Sequence, residues 1–495
     1  MRKTFTISMF VALLAIFYLN CQNVSSNEKD NESSATDSSF TIDFKPFPPI
    51  ELDSGADNKQ LVEFAWEEFM ALNWKSSYDA NHLRDYPDTT WSYYKDNAPF
   101  PSLNVWETYA HRTELRPWSD VMLPFDSAPH YSFGANLVAI DNASFSLFDN
   151  LDENNEIGSC NMYAHVDLYN TQHQVLYQAK VNRDEYNYIY NHYNDTSKLR
   201  KARETTASNI NRYAAYFDGA TNACDCPDSA NVICLPCGGT VDNNNPNDTI
   251  TGTMEIKSAW RELTPSDDST KFFTRKVIYY VKGAGSDSNT VYYGNKTYAL
   301  IGLHIIHKTR NYPAFIFATF EHIGVEKDSM GYILLNNSGA DSGTLMTPYR
   351  DPIADITEAS TQYVHNKLPS TSIWQNYRLV GVQAVPTNDT TSFSFFLANY
   401  VVESDYTLDH FRGSGIGTPH DGRVNTLYKG QFYSMGGCQG CHGAAQKSLG
   451  TDFSFMLDDV GKPVQTPDIS ITDSSAKLKR YIKRFSLALQ KFHKQ

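Results

Sequence analysis

Residues 435–443, near the C-terminus, constrain this chain more than any other stretch of its sequence. They read Met-Gly-Gly-Cys-Gln-Gly-Cys-His-Gly, so Cys438, Cys441 and His442 form a C-x-x-C-H motif. Two thiols at this spacing lie on one side of a helical turn, where each can add to a vinyl group of the same porphyrin. The histidine that follows can then bind the iron. We therefore expect one covalent haem c, with thioethers at Cys438 and Cys441 and His442 as the proximal ligand. A C-x-x-C disulfide or redox pair that precedes a histidine is the alternative.

The N-terminus has the pattern of an export signal. Arg2 and Lys3 precede an apolar run at residues 5–19, which ends at Asn20 and Cys21. Such a run is too short to span a bilayer comfortably and is typical of a signal peptide. We expect residues 1–20 to be removed and Cys21 to be lipidated, which places the protein in the periplasm or at the outer membrane. Because Asn before the cysteine is atypical of a lipoprotein, plain secretion is the alternative.

A polar segment follows the predicted signal peptide. Residues 22–39 are rich in Ser, Asn, Asp and Glu and cannot bury enough apolar surface to fold. We expect residues 21–45 to be a disordered tether between the lipid and the body. The net charge of −14 becomes −16 when residues 1–20 are removed, because they contain Arg2 and Lys3 and no acid. So acidic a protein is not expected to bind nucleic acid, and we expect it to contact the membrane only through its anchor.

The body, predicted at residues 46–411, has sheet-forming patterns between amphipathic helices. Residues 58–74, 184–193 and 199–217 have helical periodicity. Segments dense in β-branched and aromatic residues predict strands, and they lie at residues 254–260, 276–281, 298–307, 314–322, 377–385 and 393–402. We therefore predict an α+β fold with a large antiparallel sheet or open barrel and peripheral helices.

The last part of the chain, residues 412–495, is predicted to be a small α-helical segment similar to cytochrome c. It begins with a Gly- and Pro-rich connector at residues 412–422 and ends with a basic helical stripe at residues 478–492. Cytochrome c domains end in a helix that crosses the one carrying the haem cysteines. A basic helix that lies on the membrane or on the acidic body is the alternative.

Four cysteines cluster far from the motif, at Cys224, Cys226, Cys234 and Cys237. Four thiols so close together can hold zinc tetrahedrally. In an exported chain two disulfides are the simpler outcome, and pairing of the adjacent Cys234 and Cys237 is plausible. Cys160 is left over, either with a distant partner or as a thiol.

The sixth position of a haem iron decides between electron transfer and ligand chemistry. Met456 is the single methionine after His442, and we expect it to be the distal ligand. The alternatives in the body are His304, His307 and His322, which lie on two predicted strands beside Lys308, Glu255 and Lys257. Since side chains alternate along a strand, His304 and Lys308 share a face and His307 lies on the other. Taken singly, each of these histidines is more typical of a hydrogen-bonded structural residue than of a ligand or a catalytic group.

Several uncommon short sequence motifs follow one another along the chain. They are Val-Trp-Glu-Thr-Tyr at 105–109, Glu-Ile-Lys-Ser-Ala-Trp at 255–260, Gly-Leu-His-Ile-Ile-His-Lys-Thr at 302–309, Thr-Phe-Glu-His at 319–322, Leu-Ala-Asn at 397–399 with Glu403, and the haem motif itself. Over most of residues 60–460 this set resembles a family of large exported bacterial proteins with one C-terminal haem c motif. The resemblance implies haem binding and electron transfer, and it implies no established substrate. It does not extend to the cysteine cluster.

The function expected from the sequence is that of an exported, lipid-anchored cytochrome c with a redox partner protein. Two alternatives remain open because the body is far larger than a simple electron carrier requires. In one, a small molecule binds between body and haem, and the iron or the residues His304, His307, Lys308 and His322 act on it. In the other, the body is a non-catalytic docking unit that holds the haem beside a redox partner.

Overall fold

The strand-rich middle of the chain forms one large sheet in the computed structural model of the protein. The structure describes residues 40–95, 97–115, 121–129, 137–139, 148–151, 162–164, 173–217, 223–224, 226–241, 249–263, 265, 267–282, 291–325, 330–335, 341–346, 352–395, 397, 399, 401 and 426–457. The chain divides into two units, Met1–Thr41 and Ile42–Gln495, and every element below belongs to the second. The predicted signal peptide, Cys21, Cys160, the predicted boundary at residue 412 and the predicted terminal helix lie outside the described residues.

Seven α-helices and fifteen strands lie in the described residues. The helices are α1 (Asn58–Leu72), α2 (Tyr78–Asn81), α3 (Arg112–Leu115), α4 (Arg183–His192), α5 (Thr196–Tyr213), α6 (Asp355–Lys367) and α7 (Gly437–Ala444). The strands are β1 (Ala110–His111), β2 (Leu137–Ala139), β3 (Asn150–Leu151), β4 (Met162–Ala164), β5 (His173–Gln174), β6 (Leu176–Val181), β7 (Met254–Glu262), β8 (Thr274–Lys282), β9 (Val291–His307), β10 (Ile316–His322), β11 (Met330–Leu335), β12 (Asp341–Met346), β13 (Tyr377–Gln383), β14 (Thr426–Tyr428) and β15 (Gln431–Tyr433).

The main sheet has nine strands, and β9 lies at its centre. Six strands follow the order β1-β6-β7-β9-β10-β13, and β8 pairs with the first half of β9. These seven strands pair antiparallel, whereas β2 beside β9 and β3 beside β8 are parallel. A four-stranded sheet in the order β12-β11-β4-β5 and a β14–β15 hairpin complete the strands described. The predicted α+β class and large antiparallel sheet are therefore confirmed.

The sheet is covered on both faces, which explains the dense apolar pattern of its strands. All seven residues of β10 are buried, and strands that are buried on both faces read as nearly continuous apolar runs. On one face α1 packs through aromatic rings: Phe69 stacks on Phe320 with ring centroids 4.2 Å apart. A capping box between Asp57 and Gln60 begins α1, because each side chain satisfies a main-chain N–H of the other.

The opposite face of the sheet carries α4, α5, α7 and the loop that follows α7. Side chains of these elements form one buried apolar cluster with the sheet, and the cluster includes Tyr186, Ile189, Leu199, Ile306, Phe317, Cys438 and Phe453. The C-x-x-C-H motif therefore lies against the central strands.

The predicted strand at residues 393–402 is wrong in those of its residues that the structure describes. Residues 393–395, 397, 399 and 401, from the predicted strand at 393–402, form turns and irregular structure. The Asn399 side chain donates to Thr319 Oγ1 at 2.8 Å and to the Phe320 carbonyl at 3.3 Å. Side-chain bonds of this kind compete with the regular ladder of a strand. The segment thus contacts β10 through side chains and does not extend the sheet.

Candidate functional site

The C-x-x-C-H motif lies on the short helix α7, which begins with a sharp turn at Gly437. The φ angle of Gly437 is +75°, a left-handed conformation that glycine adopts at little cost. A Cβ atom there would lie 2.7 Å from both Gln383 Nε2 and Leu397 N. Residues three and four apart are neighbours on a helix surface, so Cys438, Cys441 and His442 share one side of α7.

The side-chain amide of Gln439 holds α7 against the sheet. Gln439 is fully buried. Its Nε2 donates to three main-chain carbonyls, those of Ala314 at 3.0 Å, Phe315 at 3.0 Å and Ala384 at 2.8 Å. Ala314 and Phe315 directly precede β10, and Ala384 directly follows β13. The residue between the two motif cysteines therefore fixes the helix to two adjacent strands.

A second glutamine, Gln383 at the end of β13, completes this attachment. Its Oε1 accepts from the main-chain N–H of Gln439 at 2.7 Å, and its Nε2 donates to the Gly436 carbonyl at 2.9 Å. The first N–H groups of a helix have no partner within the helix. Gln383 supplies an acceptor for one of them and so fixes where α7 begins.

The two motif cysteines are thiols and are not joined in a disulfide. Cys438 is buried, with Sγ 3.8 Å from the Leu397 carbonyl, and Cys441 is partly exposed. The structure therefore has the reduced sulfur atoms that thioether formation requires, and it does not have the predicted alternative of a C-x-x-C disulfide.

The imidazole of His442 is oriented by a main-chain carbonyl. His442 Nδ1 donates to Phe453 O at 2.6 Å, and the rings of Phe317 and Phe455 contact the imidazole edgewise with centroids 4.9 Å away. Burial lowers the pKa of His442 to about 4; the Phe453 carbonyl acts in the opposite direction, and Lys257 lowers the pKa further. The side chain is thus a neutral imidazole with its proton on Nδ1, which leaves the lone pair on Nε2.

The loop that supplies this carbonyl is held by the buried carboxylate of Asp452. It accepts from the Tyr216 hydroxyl at 2.6 Å, from the Leu235 N–H at 3.1 Å and from Lys308 Nζ. Lys308 and Asp452 are both fully buried. Burial lowers the pKa of Lys308, and Asp452 acts in the opposite direction. A buried pair of this kind strongly disfavours the loss of either partner, so the residue before Phe453 has a fixed position.

The cysteine cluster lies behind the same loop and forms two disulfides. They join Cys224 to Cys237 and Cys226 to Cys234, so the adjacent pairing of Cys234 with Cys237 is not what the structure has. The carbonyls of Ala223, directly before Cys224, and of Leu235, inside the cross-linked segment, accept from Lys308 Nζ at 2.9 and 2.8 Å. The disulfide-bonded segment therefore supports the Lys308–Asp452 pair.

Two of the candidate histidines have structural environments. His307 Nδ1 is 2.5 Å from Glu68 Oε1, and its Nε2 donates to the Thr251 carbonyl at 2.7 Å. His322 Nε2 donates to the Lys271 carbonyl at 3.0 Å, while its Nδ1 accepts from a main-chain N–H in the next turn. Both rings thus use both nitrogens within the body, and His307 does so on the α1 face of the sheet.

His304 and Lys308 lie on the same face of the sheet as α7. His304 is buried and directly opposite Lys257 of β7. Burial lowers the pKa of His304 well below its usual value, and the neighbouring charges of Lys257 and His442 act in the same direction. Of the four body residues considered as candidates, the structure brings these two to the side of the motif.

Met456 is buried in the same loop that orients the imidazole. Its main-chain N–H donates to Ser454 Oγ at 3.0 Å, and Phe455 before it contacts the His442 ring. Met456 is therefore close along the chain to the proximal side of the motif.

Several residues that matter at this site cannot be recognised from the sequence. Gln383, Gln439 and Asp452 act through contacts with distant parts of the chain. Glu185 lies in the first turn of α4, where an acid is typical of any helix. The one signal available for Gln439 is its place inside the motif.

Comparison with protein-family models, with curated proteins and with solved structures gives no match to this chain. In the part of the chain that is described, no helix combines the length and the apolar character needed to cross a membrane.

Proposed function

We propose that this protein is an exported c-type cytochrome, anchored by lipid at Cys21, that carries one covalent haem and exchanges electrons with a redox partner protein. The observation that carries the proposal is the hydrogen bond from His442 Nδ1 to Phe453 O, at 2.6 Å. Histidines that bind metals usually donate their other ring N–H to a carbonyl or carboxylate, which fixes the tautomer. His442 is held in this manner on the helix that carries both thiols.

The donor set at α7 fits haem c. Two thiols and a neutral imidazole share one side of the helix, and Gly440 between the cysteines adds no side chain. Bound there, haem c would supply a one-electron iron couple. The chain's own residues orient this site: Phe453 fixes the imidazole, Phe317 and Phe455 pack edgewise against it, and Gln439 holds the helix to the sheet.

For the sixth position we propose Met456, with His304 as the alternative. Met456 is buried beside the proximal loop, and a thioether ligand raises the reduction potential, as suits electron transfer. His304 shares the sheet face of α7, whereas His307 and His322 use both ring nitrogens elsewhere.

The two disulfides support export. Disulfides persist in oxidising compartments such as the bacterial periplasm and are rare in the cytosol. The two disulfides, Cys224–Cys237 and Cys226–Cys234, are therefore consistent with a protein that carries an export signal and is lipidated at Cys21.

Covalent attachment tests the proposal directly. The full chain is produced in a host that exports it and attaches haem c, and the haem is then extracted with acid–acetone. We expect one haem per chain to stay with the protein. A Cys438→Ser, Cys441→Ser double variant is expected to lose it, because both thioethers are removed. Cys226→Ser with Cys234→Ser is the matched control, since it also removes two cysteines and is expected to keep the haem. Extraction of haem from the unsubstituted protein would contradict the proposal.

A further inference from the structure

Two carboxylates with no part in holding the haem are buried together on the α7 side of the sheet. Glu185 comes from the first turn of α4, and Glu255 comes from β7; they are 0% and 4% exposed. The two elements are joined where Asn182, which caps α4, accepts from the Met254 N–H at 3.1 Å. This contact brings the start of the helix to the strand and places both acids beside the loop after α7.

One hydroxyl group serves both carboxylates. Ser454 Oγ donates to Glu185 Oε1 at 3.5 Å, and the same hydroxyl lowers the pKa of Glu255. A serine hydroxyl has a single hydrogen to donate, so it satisfies one carboxylate at a time. Among the described residues, Glu185 Oε2 and Glu255 Oε1 have no hydrogen-bond partner. Two buried carboxylates that raise each other's pKa cannot both ionise cheaply, and a proton on one of them removes the repulsion.

The charges around the pair do not neutralise it. They are Asp452 of the loop, Lys308 directly after β9 and Lys257 of β7. Lys308 is bonded to Asp452, which leaves Lys257 as the other cation. Burial raises the pKa of Glu255 to about 8; Ser454 lowers it, Asp452 raises it, and Lys257 lowers it. Burial also raises the pKa of Glu185, and Glu255 adds to that effect.

Ser454 connects this pair to the motif histidine. It directly follows Phe453, whose carbonyl accepts from His442 Nδ1. A change in charge of an iron bound to His442 and a change in protonation of the pair therefore act on adjacent residues of one buried loop. Electrostatic effects are strong over such short distances in a buried site.

We infer that Glu185 and Glu255 form a buried proton-binding site that is linked to the oxidation state of the haem, an inference that rests on the proposed function. In the pH range where the pair titrates, the oxidised protein carries one proton and one negative charge on the pair. When a one-electron donor protein reduces the site, the remaining carboxylate takes one proton from solvent and forms an O–H bond. Oxidation by a redox partner breaks that bond and returns the proton to solvent. Each electron is thereby accompanied by one proton, and the charge of the buried site is unchanged.

The test is the pH dependence of the reduction potential. Midpoint potentials of the haem-loaded full chain are measured across roughly pH 5 to 9 with redox mediators. We expect the potential to fall by about 59 mV per pH unit, the one-electron equivalent of a tenfold change, within the range where the pair titrates. Glu255→Gln and Glu185→Gln are each expected to flatten this slope. Glu262→Gln, the same change on the same strand, is expected to keep it. A full slope in both variants of the pair would overturn the inference.

Two further measurements separate this inference from the proposed function. Ser454→Ala is expected to move the sloping range to higher pH, because it removes the hydroxyl that stabilises the carboxylate. Infrared spectra that compare the unsubstituted chain with Glu255→Gln are expected to show the C=O stretch of a buried carboxylic acid, and they need no haem. A chain without covalent haem that retains this band would contradict the proposed function and the redox link and leave the proton site standing. A missing band would overturn the proton site itself.

Discussion

A main-chain carbonyl orients the His442 ring and therefore sets the direction in which the other ring nitrogen, Nε2, points. Phe453 O receives the Nδ1 proton, and Asp452 before it is fixed by Lys308, Tyr216 and the Leu235 N–H. The position of Nε2 thus depends on the buried Lys308–Asp452 ion pair, whose Asp452 directly precedes Phe453. Loss of such an outer contact typically reduces metal affinity or activity by about 10- to 100-fold.

The first prediction at the residue scale concerns the sixth ligand. Met456→Leu, which keeps the side-chain volume, is expected to abolish the near-infrared methionine–iron band and to lower the reduction potential, because a thioether favours reduced iron. Met435→Leu is the matched control, since Met435 is also buried beside the motif, and it is expected to leave the band unchanged. If Met456→Leu keeps the spectrum and His304→Gln alters it, the ligand is His304.

The second prediction at this scale concerns stability in mild acid. Burial lowers the pKa of His322 to about 4, so the folded protein keeps this ring neutral while the unfolded chain takes up a proton below about pH 6.5. The free energy of unfolding therefore falls as the pH falls from about 6.5 to about 4, by roughly 2 kcal/mol between pH 7 and 5 from this group. Urea unfolding at both pH values measures the change.

The matched variant for that measurement is His322→Phe, which keeps the stacking on Phe272. It is expected to be less stable at neutral pH, because the Lys271 carbonyl loses its donor, but to depend less on pH. His192→Gln, at an exposed position near the end of α4, is expected to keep the original dependence. An unchanged slope in His322→Phe would assign the acid sensitivity to other groups.

At the scale of elements, the strands of the central sheet could be predicted because burial on both faces leaves a clear sequence pattern. The predicted segments at 254–260 and 298–307 lie on β7 and β9, and residues 316–322 of the predicted segment 314–322 form β10. Residues 393–402 have similar composition, and the described part of this segment contacts β10 through side chains such as Asn399. Composition alone does not distinguish a strand from an extended segment that packs on one.

The site could be predicted in part for a related reason. One helical turn contains Cys438, Cys441 and His442, so their proximity can be predicted from their spacing in the sequence. Gln383 and Glu185 act across the fold, more than fifty residues from the motif in sequence. Nothing in a single sequence marks which distant polar residues will meet, because that depends on the register of strands.

The prediction at the element scale concerns the disulfide-bonded segment behind the Asp452 loop. A Cys224→Ser, Cys237→Ser double variant opens a cross-link of sequence separation 13 and is expected to lower the free energy of unfolding by about 3 kcal/mol. Cys226→Ser with Cys234→Ser, at separation 8, is expected to cost somewhat less because its loop is shorter. Denaturant unfolding and non-reducing peptide mass spectrometry measure both. One zinc ion bound to four thiols would contradict the pairing.

At the scale of the whole molecule, the body and the motif share one buried core. The sheet carries α1 on one face and α4, α5 and α7 on the other, and Cys438 belongs to the same apolar cluster as Ile306 and Phe317. The large body therefore holds the C-x-x-C-H motif on its own central strands. In the proposed cytochrome, a body built in this way would fix the orientation of the motif relative to the surface that docks a redox partner.

The last prediction concerns where that molecule is held. Cys21→Ser is expected to abolish labelling with palmitate, because the acylated cysteine is absent. It is also expected to release the protein from membranes into the soluble exported fraction, because each buried CH₂ of an acyl chain contributes about 0.8 kcal/mol of membrane affinity. Covalent haem is expected to be retained, since α7 and its contacts lie in a different unit of the chain from residue 21. Cys160→Ser serves as the control for loss of a single cysteine and is expected to stay with the membrane. A Cys21→Ser protein that remains membrane-bound after a carbonate wash would show that the acyl chain is not its anchor, and an unlabelled, soluble unsubstituted protein would indicate plain secretion.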